Sequence, residues 1–190
     1  MELNILASKS PRRKKLLNQV GFKFSIVPSG LIEYQNKDLP SEALVETLAR
    51  EKALRVAKLY NEKIIIGADT VVFHEGQILG KPKNKNESFK MLKSLSGKSH
   101  EVITGVSIIQ LNKNIDHTFN SRTFVTLIPL SDKEILSYIK NHNPSDKAGS
   151  YGIQDGFSIY IKKINGCYYN VMGFPLSKFF QNYLNIFPTF

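Results

Sequence analysis

Residues 5–17 read ILASKSPRRKKLL: an apolar run, two serines, a proline, then a segment in which five of the seven residues Lys9–Lys15 are cations. Ser10 followed by Pro11 reads as an N-cap and first helical residue, because proline's fixed φ suits that position and its missing N–H costs nothing there. A strand ("LNILA") therefore passes directly into a helix ending near Gly21. The rest of the chain keeps alternating. "FKFSIV" is a second strand, residues 29–40 a loop, and Ser41 opens a long helix to about Tyr60. "KIIIGADTVVF" (63–73) is a buried strand that turns through "HEGQ" into "ILG". Asn84 with Glu87 three residues on predicts a capped helix to about Leu95. Two long strands follow, about Glu101–Leu111 and Ile115–Ile128, joined at "NKN". "SDKE" at Ser131–Glu134 is a capping box starting another helix. The polar loop "NPSDKAGSYGIQDG" leads to a strand "FSIYIKKI", a turn "NGCYYNVMGFP" and a last helix from about Leu176. The order is mixed α/β. Without a repeat or a separating linker, residues 1–190 are expected to form a single domain of two intimately packed lobes.

Composition narrows the function. With 190 residues, 42% of them hydrophobic, the chain can bury a real core, which excludes disorder. A net charge of +10 points to an acidic partner: nucleic acid, a membrane surface or a small polyanion such as a nucleotide. The single cysteine, Cys167, excludes an internal disulfide framework, and His74, His100, His117 and His142 show no i, i+4 pairing that would suggest zinc. His100 reads as a capped or core histidine. A reducing, cytoplasmic setting fits. The apolar runs are far short of the roughly 20 residues that span a bilayer, and the N-terminal apolar stretch precedes the positive charge, the reverse of a secretory signal.

Three places break the pattern of a bland core and a solvated surface. Ser8, Ser10, Arg12 and Arg13 sit where a strand ends and a helix begins, a ready anion site to which arginine's fork adds phosphate complementarity. Lys14 and Lys15 read instead as a solvated helix face. Lys52 falls inside the apolar stripe Val45, Leu48, Ala49, Ala53, Val56 and Tyr60. Either its stem packs while the ammonium reaches the rim, or it is a cation held at a pocket floor. Asp69 interrupts an apolar strand. It is a structural acid satisfied by backbone N–H groups or, the favoured reading, a site acid met by a metal or by Lys52, Lys81 or the "SDK" of Ser145–Lys147. "GQILGKP" has only three residues between its glycines, and "SGKS" has Leu92 where a first glycine should stand, so neither is a P-loop.

Taken together, "LASKSPRR", Glu33, "LAREKA", "IIGADTVV", "LGKP", "MLKSLSGKSHEVITGV", "DKAGSYGIQ" and "INGCYYNVMGFPL", in this order over nearly the whole chain, resemble the Maf family of house-cleaning nucleoside triphosphate pyrophosphatases. The resemblance implies a Maf/ITPase-like α/β fold: an elongated mixed β-sheet flanked by helices, with two lobes about a central cleft. It implies hydrolysis of a nucleoside triphosphate to monophosphate and pyrophosphate, a divalent cation (Mg2+ or Mn2+), a homodimer and a cytoplasmic location, with no membrane and no stable nucleic-acid partner. By the same resemblance Asp69 is the proton acceptor, with Lys52 and Lys81 beside it in catalysis. Glu33 and Asp69 hold the metal, and Ser8, Arg12, Arg13, Thr70 and Gln154 bind substrate. Arg12, Thr70 and Gln154 look like the dTTP/UTP branch, where the 7-methyl-GTP branch has tryptophan, glutamine and glutamate. The chain departs from the family at Asn143, a usual glutamate, which puts a loop contact in question. It departs again at Asp155, a usual glycine, which puts backbone approach to the base in question. Two other readings stand beside this one. A sequence-independent nucleic-acid binder is disfavoured because the phenylalanines fall on core periodicity rather than forming stacking platforms. A regulator of division that keeps a nucleotide pocket with little turnover is the stronger alternative.

Overall fold

The structure is a computed structural model in which residues 4–31 and 39–188 are described. In chain order the elements are β1 (Asn4–Leu6), α1 (Pro11–Gln19), β2 (Ser25–Ile26), α2 (Ser41–Ala57), β3 (Ile64–His74), β4 (Gln77–Leu79), α3 (Lys85–Leu95), β5 (Ser99–Gln110), β6 (Ile115–Leu127), α4 (Asp132–His142), β7 (Ile161–Asn165), α5 (Tyr168–Val171) and α6 (Leu176–Ile186). The seven strands form one mixed sheet in the order β2-β1-β3-β5-β6-β7, with β4 paired to β3. β1 runs parallel to both neighbours, Leu6 opposite Ile26 and Ile66. β4 folds back antiparallel on β3 through Glu75 and Gly76, both at positive φ, the left-handed pair that a two-residue hairpin needs. β7 is antiparallel to β6. The mixed α/β order is thus the one read from the alternation of the sequence, and the mixed sheet flanked by helices is the one that the family resemblance implies.

The chain divides into two compact units, residues 1–69, 104–121 and 173–190 in the first, 70–103 and 122–172 in the second. In the first, α2 buries Leu44, Val45, Leu48, Ala49, Ala53, Val56 and Ala57. It can lie close to the sheet because two glycines face it. A Cβ on Gly67 would overlap the Ala49 carbonyl oxygen and stand 2.8 Å from the Ala53 nitrogen, and a Cβ on Gly105 would overlap the Val45 carbonyl. Ile5, Ala7, Ile65 and Ile109 complete an apolar cluster with Ala53, Val56 and Ala57. α6 is fixed by aromatic edges: Phe22 meets Phe179 at 5.5 Å and Tyr183 at 5.1 Å, both nearly perpendicular.

In the second unit α3 packs against α4, and both start on the caps that the sequence announces. Asn84 accepts from the Glu87 N–H at 2.9 Å, while Ser131 and Glu134 close a reciprocal box. His100 is a core residue, with Nε2 at 2.7 Å from the Tyr151 hydroxyl. Burial, with a smaller repulsion from His74, lowers its pKa to about 3.

Some boundaries differ from the sequence reading. α2 ends at Ala57, so Tyr60 is not part of its apolar stripe and is 41% exposed. The chain turns there, with the Lys63 N–H donating to the Tyr60 carbonyl. β2 shrinks to Ser25–Ile26. Residues 156–160 form a 3₁₀ turn, because Asp155 accepts from the Phe157 N–H at 3.0 Å, and the strand begins only at Ile161. The turn after it contains the short helix α5.

Gly67→Ala should cost about 1–3 kcal/mol or more, since the added methyl must push α2 off the sheet; a melting temperature equal to wild type would contradict the close approach. His100 supplies a second test. A histidine whose pKa is depressed in the fold contributes stability above its unfolded value of about 6.5, lost as pH falls from there toward 3. Urea unfolding from pH 7 to pH 4 should show wild type losing up to about 1.4 kcal/mol per pH unit more than His100→Gln. Parallel curves would remove His100 as the source.

Candidate active site

The first unit gathers the chemistry just beyond the stretch over which β1 and β3 pair in parallel. Beyond the pair Leu6↔Ile66, β1 yields Ser8 and the N-terminus of α1, and β3 continues to Asp69. The end of β1 is the kind of place where open α/β sheets hold ligands. Side chains of β3 alternate, so Ile65, Gly67 and Asp69 share the face turned to α2. Ile65 packs on its apolar part, Gly67 lets its backbone approach, and Asp69 receives Lys52. Lys52 Nζ stands 2.5 Å from Asp69 Oδ1, with both residues 6% exposed. Lys52 is therefore a held cation and its head does not reach the rim. The partner that meets Asp69 comes from α2; Lys147, the other candidate from the loop, bonds Asp146 at 2.9 Å instead. Among the described residues the second carboxylate oxygen of Asp69 takes no hydrogen bond. A buried carboxylate with one oxygen neutralised and one uncommitted is suited to accept a proton or to share a hard cation.

The strand-to-helix junction is built by its own hydroxyls and guanidinium. The Ser10 side chain caps the Arg13 N–H at 3.4 Å, and the Ser8 hydroxyl accepts from the Ser10 N–H at 3.2 Å and from Arg13 Nη1 at 3.1 Å. Arg13 Nε donates to the Gly173 carbonyl at 2.9 Å, which ties α1 to the segment leading into α6. Arg13 is buried, Arg12 half-buried, and Lys14 and Lys15 are exposed, as a solvated face requires.

The remaining residues lie in the second unit or outside the described residues. Glu33 falls in the segment 32–38 that is not described, and among the described residues no three His, Cys, Asp or Glu side chains form a group that could hold a metal ion. Thr70 is half-buried on β3. Lys81 is exposed, on a loop fastened where the Gly149 N–H donates to the Gly80 carbonyl at 3.1 Å. Gln154 is exposed, and its amide makes no hydrogen bond among the described residues. It rides the turn Gly152–Asp155, closed by the Asp155 N–H on the Gly152 carbonyl at 3.3 Å. The two departures also find places. Asn143 ends α4 in the left-handed conformation that asparagine tolerates, and Asp155 folds its carboxylate back onto Phe157 N–H and the Tyr138 hydroxyl. The sequence reading missed Tyr138, which looked like an ordinary apolar-face residue of α4, and the Gly173 carbonyl, whose role no side chain signals.

Comparison with known proteins gives the lineage. The family described as Maf-like protein matches residues 4–185. A dTTP/UTP pyrophosphatase of Carboxydothermus hydrogenoformans is 46% identical over 176 residues, 93% of this chain and 94% of its own. One of Bacillus anthracis is 48% identical over 174 residues, 92% and 90% respectively. The solved Ham1 protein of Staphylococcus aureus is a loose likeness, with a TM-score of 0.45 and 14% identity over 65% of this chain and 71% of that one. The match runs from β1 into α6, through both sheet edges, and the protein belongs to the Maf-like family.

Proposed function

We propose that this protein is a nucleoside triphosphate pyrophosphatase acting on dTTP and UTP, in a house-cleaning role. The observation that carries the reading is the buried Lys52–Asp69 pair in the middle of β3; relatives named dTTP/UTP pyrophosphatase at 46% and 48% identity support it. Water attacks the α-phosphorus, the bond from that phosphorus to the bridging oxygen breaks, and pyrophosphate leaves. Asp69 takes the water's proton on its uncommitted oxygen. Lys52 holds that carboxylate in place and adds positive charge where the anion develops. Arg12, Arg13, Ser8 and Lys81 bear the phosphates. Thr70 and Gln154 address the base, and Gln154 offers both a donor and an acceptor to a pyrimidine edge.

A divalent cation, Mg2+ or Mn2+, completes the proposal. Asp69, together with Glu33 by family resemblance, would hold it, in the manner of hard ions bound through one or two carboxylates and the substrate's own phosphates. Its chemistry there is neutralisation of phosphate charge. The protein is further proposed to be cytoplasmic and homodimeric; no helix among the described residues is long and apolar enough to cross a membrane.

Purified protein with Mg2+ or Mn2+ should convert UTP or dTTP to one monophosphate and one pyrophosphate. Orthophosphate with UDP as primary products would refute attack at the α-phosphorus, and binding without turnover would identify a regulator. Asp69→Asn should lower kcat by about a hundredfold or more. It should also cost about 1–3 kcal/mol in stability, since the charged hydrogen bond from Lys52 to Asp69 becomes one to a neutral amide. Steady-state kinetics well below the melting transition read the first effect alone, and near wild-type turnover would exclude Asp69 as the base.

A further inference from the structure

The turn that carries Gln154 is held at both ends by one phenol. Tyr138, 3% exposed on α4, accepts from the Gly152 N–H at 3.1 Å and donates to the Asp155 carboxylate at 3.2 and 3.3 Å. Gly152 and Asp155 are the first and last residues of the turn. The same carboxylate accepts from the Phe157 N–H at 3.0 Å and faces Lys147 Nζ at 3.8 Å. Burial and the Asp155 charge push the Tyr138 hydroxyl up, so it stays a donor. The ring itself cannot drift. It lies between His142, stacked at 5.1 Å, and Phe157 at 4.8 Å. Ile153 is buried at 3%, while Gln154 alone projects outward with its amide uncommitted among the described residues. A side chain at Gly156 would meet the His142 ring, so the exit from the turn is closed too.

We propose that Tyr138 and Asp155 form a clamp that presents Gln154 to the base, making them positioning residues for pyrimidine selection. This rests on the reading of Gln154 as the base contact. The clamp has no part in the phosphate chemistry: its residues anchor the turn, and the turn fixes where the one free amide points. A preorganised hydrogen-bonding side chain discriminates more strongly than a mobile one, because a wrong partner then leaves it unpaired. Asp155 therefore tightens the turn through its carboxylate.

The test compares Tyr138→Phe, Asp155→Ala and the conservative Asp155→Asn with wild type. Affinities are measured calorimetrically for the α,β-imido analogues of UTP and ATP and for tripolyphosphate, alongside kcat/KM for UTP and ATP. Tyr138→Phe and Asp155→Ala should weaken UTP binding about three- to tenfold and shrink the preference for UTP over ATP by the same factor. Tripolyphosphate affinity should not change, and Asp155→Asn, which keeps the acceptor, should recover most of the preference. An unchanged preference, or a parallel loss for tripolyphosphate, overturns the clamp, because the turn would then merely support the fold. Selective binding by wild type without pyrophosphate release defeats the enzymatic reading alone, and the clamp is still judged on the affinities. Wild-type binding of UTP no tighter than tripolyphosphate overturns both.

Discussion

Helix α2 rests on the sheet at backbone distance, and the chemistry of the first unit depends on that contact. Gly67 and Gly105 present no side chain beneath Val45, Ala49 and Ala53, so the helix sinks until its small residues touch strands. Packing at this density leaves no room for a solvated ammonium on the inner face of the helix. Lys52 can occupy that face only because Asp69, two residues beyond Gly67 on the same side of β3, meets it. A glycine and an aspartate in one strand thus have a single geometric purpose.

The pair is costly as a stabiliser. Desolvating two charges offsets much of their attraction, and a buried ion pair is weak evidence for stability. Its retention in the middle of a well-packed core is better explained by what the carboxylate does. One oxygen is neutralised by Lys52, and the other is uncommitted among the described residues. By contrast His100, equally buried, is held neutral, with its pKa lowered to about 3 and its ring against Tyr151. These two buried sites differ in consequence: one sets a lysine against a carboxylate, the other gives up its charge to the core.

Rigid fastening recurs at the edges of both units. Arg13 spends Nε on the Gly173 carbonyl and Nη1 on the Ser8 hydroxyl, which sets the start of α1 against the approach to α6. In the second unit Gly149 ties the Lys81 loop to its own, and Tyr138 closes the Gln154 turn. Each of these segments is pinned by at least one hydrogen bond to a backbone group.

Local chemistry was legible in the sequence. Ser10–Pro11, Asn84–Glu87 and Ser131–Glu134 announce helix starts through bonds that span three residues, and all three form. Lys52 and Asp69 announced themselves as misplaced charges, because burial of a charge violates a periodicity that can be counted. What the sequence left open was pairing over distance: whether Asp69 would meet Lys52, Lys147 or backbone N–H groups depends on how close α2 comes to β3. The 3₁₀ turn at 156–160 displaced a strand that propensity favours, since the Asp155 side chain satisfies Phe157 N–H before a ladder can. Tyr138 was invisible for the same reason. Its periodicity marks it as core, and only the folding of residues 152–157 over α4 converts its hydroxyl into the clasp of a turn. Sequence by itself determined the elements and the residues out of place in them, through short-range hydrogen bonds and periodicity. Tertiary structure alone decided which of those residues meet, because that choice is made by packing distances between segments far apart in the chain.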